Sequence, residues 1–207
     1  MTTTAQQHWD RIYSTKVPHE VSWTQENPSI SLDFIHEINL SKTARIIDVG
    51  GGESKLVDRL LDEGFTDITV LDISEEALRK TRQRLGERAG NVQWVVSDVR
   101  EFKPVLAFDL WHDRATFHFM TSPEDIDTYL LRAQQAIRSD GYFVVGTFSD
   151  KGPKKCSGLD IRQYTEITLE QQLNLHFQKI RCITEDHHTP FGTLQNFLFC
   201  SFKKYGP

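Results

Sequence analysis

The chain has 207 residues, of which 38% are hydrophobic, 26% charged and 11% aromatic, a composition typical of one globular domain. This composition excludes a disordered, collagen-like or fibrous protein. The 24 Lys and Arg residues against 29 Asp and Glu give a net charge of -5, and the basic residues are scattered, which disfavours a general nucleic-acid binder with a basic face.

The chain has no apolar run that approaches the roughly 20 residues of a membrane-spanning helix. Its first residues, MTTTAQQHWD, lack the basic and apolar regions of a secretory signal, so we expect a cytoplasmic protein with no membrane partner. The cysteines Cys156, Cys182 and Cys200 form no C-x-x-C spacing and have no neighbouring histidine in metal-ligand register. We therefore expect reduced thiols, with the last two in the core, and no metal site.

We expect a single domain over residues 1–207, with a helical N-terminal segment over residues 1–40 and an α/β core over residues 41–205. In the N-terminal segment, the spacing of Trp9, Ile12 and Tyr13 fits one face of a helix that could form a lid. In the core, short runs rich in Val, Ile and Phe alternate with amphipathic segments, a pattern typical of βαβ units around a parallel sheet. The predicted strands cover residues 45–49, 67–71, 92–96, 108–111 and 142–147.

Helix signals fall between these runs and after them. The predicted helices cover residues 55–63, 75–88, 123–138 and 169–176. Ser122 and Thr168 are the predicted N-caps of the last two. Two extended segments follow, residues 179–185 and 193–202, and the short turn-rich sequence HHTPFG between them predicts antiparallel neighbours. The result is a mixed sheet that ends in a hairpin.

The most informative stretch is IIDVGGGESKL, residues 46–56. A buried strand leads into three glycines and then a helix, which is the geometry of a nucleotide site at the carboxyl end of the first strand. Asp48 precedes Gly50, and Glu53 follows the last glycine. Because carboxylates beside the helix N-terminus would repel a pyrophosphate, they favour a ligand that carries positive charge.

Two further acids end the next strands. Asp72 closes TVLD, near the offset from the glycines at which an acid accepts hydrogen bonds from ribose hydroxyl groups. Asp98, in VVSDV, could meet an adenine amino group, with Ile73 and Val99 on the two faces of the ring. The three acids at adjacent strand ends predict a nucleoside site.

The segments DVGGGES, TVLDIS, VVSDV and FDLWHDRATFHF together resemble the class I S-adenosylmethionine-dependent methyltransferases, over roughly residues 40–150. The upstream HWDRIY and VSW resemble the branch that contains protein-lysine methyltransferases and uncharacterised bacterial relatives. The resemblance implies a Rossmann-like three-layer sandwich with a seven-stranded, mostly parallel sheet, and S-adenosylmethionine as the cofactor. The residues that it implies as cofactor ligands are Asp48, Gly50 and Gly52 for the methionine moiety, Asp72 for the ribose, and Ile73, Asp98 and Val99 for the adenine.

Methyl transfer from a sulfonium needs mainly alignment, desolvation and a deprotonated nucleophile. His112 and Asp113, at the end of the fourth strand, are the predicted catalytic residues that orient or deprotonate the acceptor. The alternative is that Asp113 pairs with Arg114 and His112 is a structural wall residue. Trp9 and Trp23 are predicted to touch the cofactor or the acceptor, because aromatic faces attract cations.

The predicted activity is methyl transfer by in-line displacement to a nucleophilic acceptor. A protein lysine is the preferred acceptor, and a small thiol, amine or carboxylate is the alternative. A non-catalytic nucleoside-binding module is a third possibility, whereas Asp48 disfavours an NAD-dependent dehydrogenase. No nucleic-acid partner is expected, because the sequence has neither an N-P-P-Y-type tetrapeptide nor a basic aromatic patch.

Overall fold

The computed structural model describes residues 4–206 and has helices on both faces of one large sheet. The strands are β1 (Arg45–Val49), β2 (Asp67–Asp72), β3 (Val92–Val96), β4 (Phe108–Arg114), β5 (Ile137–Phe148), β6 (Lys155–Cys156), β7 (Leu159–Asp160), β8 (Phe177–His188) and β9 (Leu194–Lys204). The α-helices are α1 (Ala5–Thr15), α2 (Ser29–Ile38), α3 (Leu56–Asp62), α4 (Glu75–Leu85), α5 (Pro123–Ala136) and α6 (Glu166–Leu173).

The large sheet confirms the predicted fold class. Within residues 4–206 it has seven strands in the order β3-β2-β1-β4-β5-β9-β8. The first five strands in this order are parallel, and the β8–β9 hairpin adds antiparallel to β5. Because the chain order reverses between β1 and β4, their carboxyl ends form a topological switch point, where open α/β sheets bind ligands.

The sheet is buried on both faces, which explains the near-continuous apolar runs of its central strands. Ile47 and Val49 contribute to the core on one face, with Trp111, whereas Ile46 and Val70 contribute to the core on the other. These five side chains are almost fully buried. Successive residues of a strand therefore serve opposite cores, as the pleat requires, and the protein is a three-layer sandwich.

Several predicted boundaries are corrected by the structure. The last helix begins earlier than predicted, because Thr165 is its N-cap and Thr168 is the reciprocal partner in the capping box. The fourth strand continues to Arg114, and His187 and His188 belong to β8 and not to the following turn. In each case the backbone pairs with a neighbouring strand or cap that a local pattern does not reveal.

The prediction of three reduced cysteines is wrong. Cys182 and Cys200 lie directly opposite each other in the β8–β9 ladder, with Cα atoms 4.1 Å apart, and form a disulfide. Cys156 is a buried free thiol. The expectation rested on the spacing of the cysteines along the chain, whereas the pairing follows from the register of the hairpin, which brings the two side chains together.

Residues 4–206 contain no helix with the length and apolar character needed to cross a bilayer.

Candidate active site

A cavity of about 540 Å³ lies outside the carboxyl ends of the central strands, within the size range of small-molecule sites. Its floor includes the loops after β1, β2, β3 and β4, and its cover is the N-terminal segment around α1. Eight of the nine residues predicted to bind the cofactor line this one cleft, and they include all three predicted acids: Trp9, Trp23, Asp48, Gly50, Asp72, Ile73, Asp98 and Val99. Gly52 lies behind the surface of the cleft, against Tyr13.

The glycine turn after β1 needs its glycines for backbone reasons. Gly50 has a φ of +66°, and a Cβ there would lie 1.7 Å from the Thr116 hydroxyl oxygen. Gly52 has a φ of +35°, and a Cβ there would lie 2.8 Å from the Tyr13 hydroxyl oxygen. Only glycine fits both the left-handed conformation and the close approach. The turn therefore lets backbone, and not side chains, border this part of the cleft.

Asp48 is a buried carboxylate with one oxygen satisfied and one free. Its Oδ1 accepts a hydrogen bond from Nδ1 of His112 at 2.7 Å, and Nε2 of His112 lies 2.9 Å from the Ser31 hydroxyl. Its Oδ2 is buried and has no hydrogen-bond partner among the described residues. Because an unpartnered buried carboxylate oxygen is costly, this atom calls for a donor or a cation from a ligand.

Asp72 is a second buried acid on the cleft. Its Oδ1 accepts the backbone N–H of Ser74 at 2.8 Å. Burial raises the pKa of Asp72 to about 7, with smaller contributions from the charges of Asp48 and Asp10, while backbone N–H groups oppose the rise. A carboxylate of this kind is stabilised by further hydrogen-bond donors, such as sugar hydroxyl groups.

Asp98 differs from the sequence prediction in its surroundings. Its carboxylate is held by Arg100, whose Nη2 lies 2.6 Å from Oδ2 and whose backbone N–H donates to Oδ1 at 2.9 Å. Burial alone would raise the pKa of Asp98, but Arg100 lowers it below its ordinary value. The carboxylate is therefore ionised and oriented, and its remaining lone pairs, with Ile73 and Val99 nearby on the cleft, are available to a ring amine.

The structure places His112 and Asp113, which the sequence predicts to orient or deprotonate the acceptor, in the interior and away from the cleft. Neither side chain lines the cleft, and both are almost fully buried. Asp113 accepts the hydroxyl of Tyr129 at 2.5 Å and the backbone N–H groups of Thr116 and Phe117. Because β4 is central, its side chains point into the two cores and not out of the strand end. Both residues position other groups: His112 positions Asp48, and Asp113 positions the loop after β4.

The alternative ion pair between Asp113 and Arg114 is also not formed, since Arg114 makes no salt bridge with any residue in the range 4–206. Asp113 instead has hydrogen bonds to a phenol and to backbone, and burial raises its pKa to about 6. Asp113 and Arg114 cannot pair with each other because consecutive residues of a strand point to opposite faces of the sheet.

Four aromatic rings meet at the cover of the cleft. Trp9 contacts Tyr13, Trp23 and Phe119, with ring centroids 6.3, 5.9 and 5.2 Å from its own. The sequence analysis singled out Trp9 and Trp23 as contacts of the cofactor or acceptor, gave Tyr13 only a place on the same helix face, and missed Phe119. Phe119 follows β4 in a 3-10 turn, and nothing in the FHF sequence distinguishes it from an ordinary core residue.

Three contacts hold the N-terminal segment over the sheet. Ser74 donates its hydroxyl to Asp10 at 2.7 Å, and His187 Nε2 lies 2.7 Å from the backbone oxygen of Ser22. Arg114 Nη1 donates to the backbone oxygen of Trp23 at 2.9 Å. The segment is therefore attached at both of its ends to groups that border the cleft or lie beside it.

Comparison with known proteins finds that the core of the chain is similar to methyltransferases. Residues 46–141 match the family model described as a methyltransferase domain. The chain is 25% identical to EEF1A lysine methyltransferase 2 of Danio rerio over 154 residues, which are 67% of this chain and 66% of that protein. It is 21% identical to the eEF1A lysine and N-terminal methyltransferase of Mus musculus over 119 residues, 57% of this chain but 17% of that protein. The chain therefore spans less than two thirds of the length of these relatives.

Among solved structures, the N-methyltransferase NodS from Bradyrhizobium japonicum in complex with S-adenosyl-L-homocysteine is similar, with a TM-score of 0.75. The two chains are 15% identical, and the match covers 96% of this chain and 97% of NodS. At this identity the likeness concerns the fold, which is the Rossmann-like fold of methyltransferases.

Proposed function

We propose that this chain, which is a class I S-adenosylmethionine-dependent methyltransferase, methylates a small acceptor enclosed between the aromatic cover and the loop after β4. When bound, the cofactor supplies a methyl group that is already activated on a positively charged sulfur. The chain therefore has to align the acceptor and exclude water. The observation that carries the proposal is the group of rings of Trp9, Trp23 and Phe119, which pack on one another and line one side of the cleft.

The acids of the cleft fit an adenosyl ligand with positive charge. In our proposal Asp48 Oδ2 and the backbone around Gly50 and Gly52 bind the methionine moiety, and Asp72 accepts the ribose hydroxyl groups. The free Oδ2 of Asp48 supports this role, because it is buried and has no partner in the described part of the chain. The same charges would repel a pyrophosphate, which argues against a dinucleotide.

The adenine would lie between Ile73 and Val99, with Asp98 at its amino group. Both apolar residues line the cleft beside Asp98. Arg100 already fixes the orientation of the Asp98 carboxylate. Binding of the adenine amino group would therefore not cost the conformational entropy of ordering that side chain.

A protein lysine is the second candidate acceptor. Aromatic rings attract ammonium groups, and the rings of Trp9, Trp23 and Phe119 lie together on the cleft. The similarity to EEF1A lysine methyltransferase 2 over 67% of this chain supports the same candidate. A lysine side chain of a protein would have to reach the cleft from the surface of that protein.

The two candidates are separated by incubating the enzyme with methyl-labelled cofactor and a cell lysate divided by size. We expect label in the small-molecule fraction and none transferred to protein. Label found only on protein would contradict the small acceptor and support the lysine. The Asp48→Asn variant is the negative control, because label that persists with it does not depend on the proposed cofactor site.

Affinity for S-adenosylhomocysteine should depend on the protonation of Asp72. Because the pKa of Asp72 is raised to about 7, this carboxyl group is mostly protonated in the free protein below that pH. Hydroxyl donors favour the carboxylate, so binding releases the proton, and affinity should rise with pH up to about 7 and then level off. We expect binding about tenfold tighter at about pH 8 than at about pH 6, measured by calorimetry. In Asp72→Asn this rise should disappear, and an unchanged rise would show that another group titrates.

Removing the Trp9 ring should loosen the cover. In Trp9→Ala the contacts with Tyr13, Trp23 and Phe119 are lost, so residues 5–24 should exchange amide hydrogens faster while the strands of the sheet do not. Hydrogen exchange with mass spectrometry measures both regions. Gln6→Ala is the matched control on the exposed face of the same helix and should leave the exchange unchanged. Exchange in Trp9→Ala equal to that of the wild type would mean that the ring does not hold the segment.

A further inference from the structure

Arg114 is a charged residue on the cleft that the proposed methyl transfer leaves without a role. It is the last residue of β4 and lines the cavity near Phe119 and Cys156. Its guanidinium lies over the ring of Phe197, 5.3 Å from the centroid. Phe197 belongs to β9, so the guanidinium packs against a side chain of the sheet.

The guanidinium is only partly satisfied. Nη1 donates to the backbone oxygen of Trp23 at 2.9 Å, whereas Nε and Nη2 are buried and have no hydrogen-bond partner among the described residues. These two nitrogens carry three of the five N–H donors of an arginine side chain. Because buried donors without acceptors are costly, their arrangement points to an acceptor that a ligand supplies.

The neighbouring acids do not neutralise Arg114. Glu185 on β8 and Asp48 on the cleft are close enough to raise the pKa of Arg114, but neither makes an ion pair with it in the described structure, and Glu185 does not line the cleft. Asp160 and Glu26, which do line the cleft, form ion pairs with lysines instead. The Nζ atom of Lys155 lies 3.2 Å from Oδ1 of Asp160, and that of Lys55 lies 3.8 Å from Oε2 of Glu26. Burial lowers the pKa of Arg114 to about 10, so the guanidinium remains charged at neutral pH.

Building on the proposed function, we propose that Arg114 binds a carboxylate of the methyl acceptor. The guanidinium fork matches the two oxygens of a carboxylate, and the neighbouring rings of Phe119 and Trp23 offer apolar surface for the rest of the molecule. The acceptor is thus a small apolar or aromatic carboxylic acid. A lysine ammonium would be repelled by Arg114.

The test uses the full chain saturated with S-adenosylhomocysteine and four probes that share one ring: benzoate, benzamide, benzylamine and phenyl phosphate. Affinities are measured by calorimetry or by ligand-observed nuclear magnetic resonance. We expect benzoate to bind at least about tenfold more tightly than each of the others, the factor expected for one charge-assisted hydrogen bond. In Arg114→Gln, which retains a donor for the Trp23 oxygen, the advantage of benzoate over benzamide should disappear.

Two further variants keep the result interpretable. Arg138→Gln removes an exposed arginine that pairs with Asp109 near the opposite end of β4 and should retain the preference for benzoate. Arg114→Lys keeps the charge without the fork, so it should retain part of the preference, and it replaces Arg114→Gln if that variant does not fold. Thermal unfolding of each variant checks the fold.

The proposal is overturned by equal affinity for benzoate and benzamide, by a preference that survives in Arg114→Gln, or by binding of none of the probes. Tighter binding of phenyl phosphate or benzylamine than of benzoate overturns the carboxylate class. Titration with S-adenosylhomocysteine alone precedes the probes. If it binds and benzoate has no advantage, only the role of Arg114 fails, whereas no binding of S-adenosylhomocysteine contradicts the proposed function itself.

Discussion

Replacing Asp48 by asparagine should weaken the binding of S-adenosylhomocysteine by about thirtyfold or more. The substitution keeps the shape of the side chain and an oxygen for His112, but it removes the negative charge at the free Oδ2. Loss of one partner from a buried charged contact costs about 2–5 kcal/mol, and the lower figure corresponds to about thirtyfold in affinity. Calorimetric titration of the two proteins measures the difference.

The free energy of unfolding of the ligand-free protein should rise or stay unchanged in Asp48→Asn. A neutral amide in place of a buried carboxylate removes a desolvation cost, so Asp48→Asn should unfold no more easily than the wild type in the absence of ligand. Asp62→Asn, on the exposed face of α3, is the control and should leave affinity unchanged. Equal affinity of Asp48→Asn and the wild type would remove Asp48 from the cofactor site.

Replacing His112 by phenylalanine should lower both the free energy of unfolding and the affinity for S-adenosylhomocysteine. Asp48 would keep its charge in a buried position but lose its hydrogen-bond partner, and the Ser31 hydroxyl would lose its own. Breaking a buried pair by removing one partner costs about 3–5 kcal/mol of stability. Urea unfolding and calorimetry measure the two quantities.

The companion variant Ser31→Ala should lose only about 1 kcal/mol of stability. It removes the hydrogen bond between the Ser31 hydroxyl and His112 and leaves the contact between His112 and Asp48. A positioning role for His112 predicts that affinity and stability fall together. A fall in turnover with unchanged affinity and unchanged stability would instead mean that His112 acts on the acceptor, against its position in the interior.

The fold and the cofactor half of the site follow from local patterns in the sequence. Apolar runs before Asp48, Asp72 and Asp98 predict three buried strands. Because these strands are parallel, the acids at their carboxyl ends all lie on one cleft. The glycines mark a turn whose geometry excludes side chains. These features depend on residues close together in the chain, so one sequence is enough to predict them.

The features that sequence reasoning missed depend on contacts between distant segments. Arg100 pairs with both Asp98 and Asp125 of α5, and the Cys182–Cys200 pair depends on the register of a hairpin. His112 was predicted to face the acceptor because it lies near a strand end. Its side chain points to Ser31 on α2, and a pattern along β4 contains no information about that helix.

The acceptor half of the cleft was predicted least well. Trp9 and Trp23 were expected near it, but the free donors of Arg114 become visible only when its neighbours are known. An arginine beside an aspartate in sequence suggests an ion pair, whereas the pleat sends Asp113 to one core and Arg114 to the cleft.

The central claim is that carboxylates around a glycine turn select an adenosyl ligand that carries an amino-acid ammonium group over a phosphorylated one. Parallel calorimetric titrations of the wild-type protein with S-adenosylhomocysteine and with NADH test it most directly. We predict one-to-one binding of S-adenosylhomocysteine in the micromolar range and no binding of NADH. Binding of NADH, or no heat of binding with S-adenosylhomocysteine, would contradict the account.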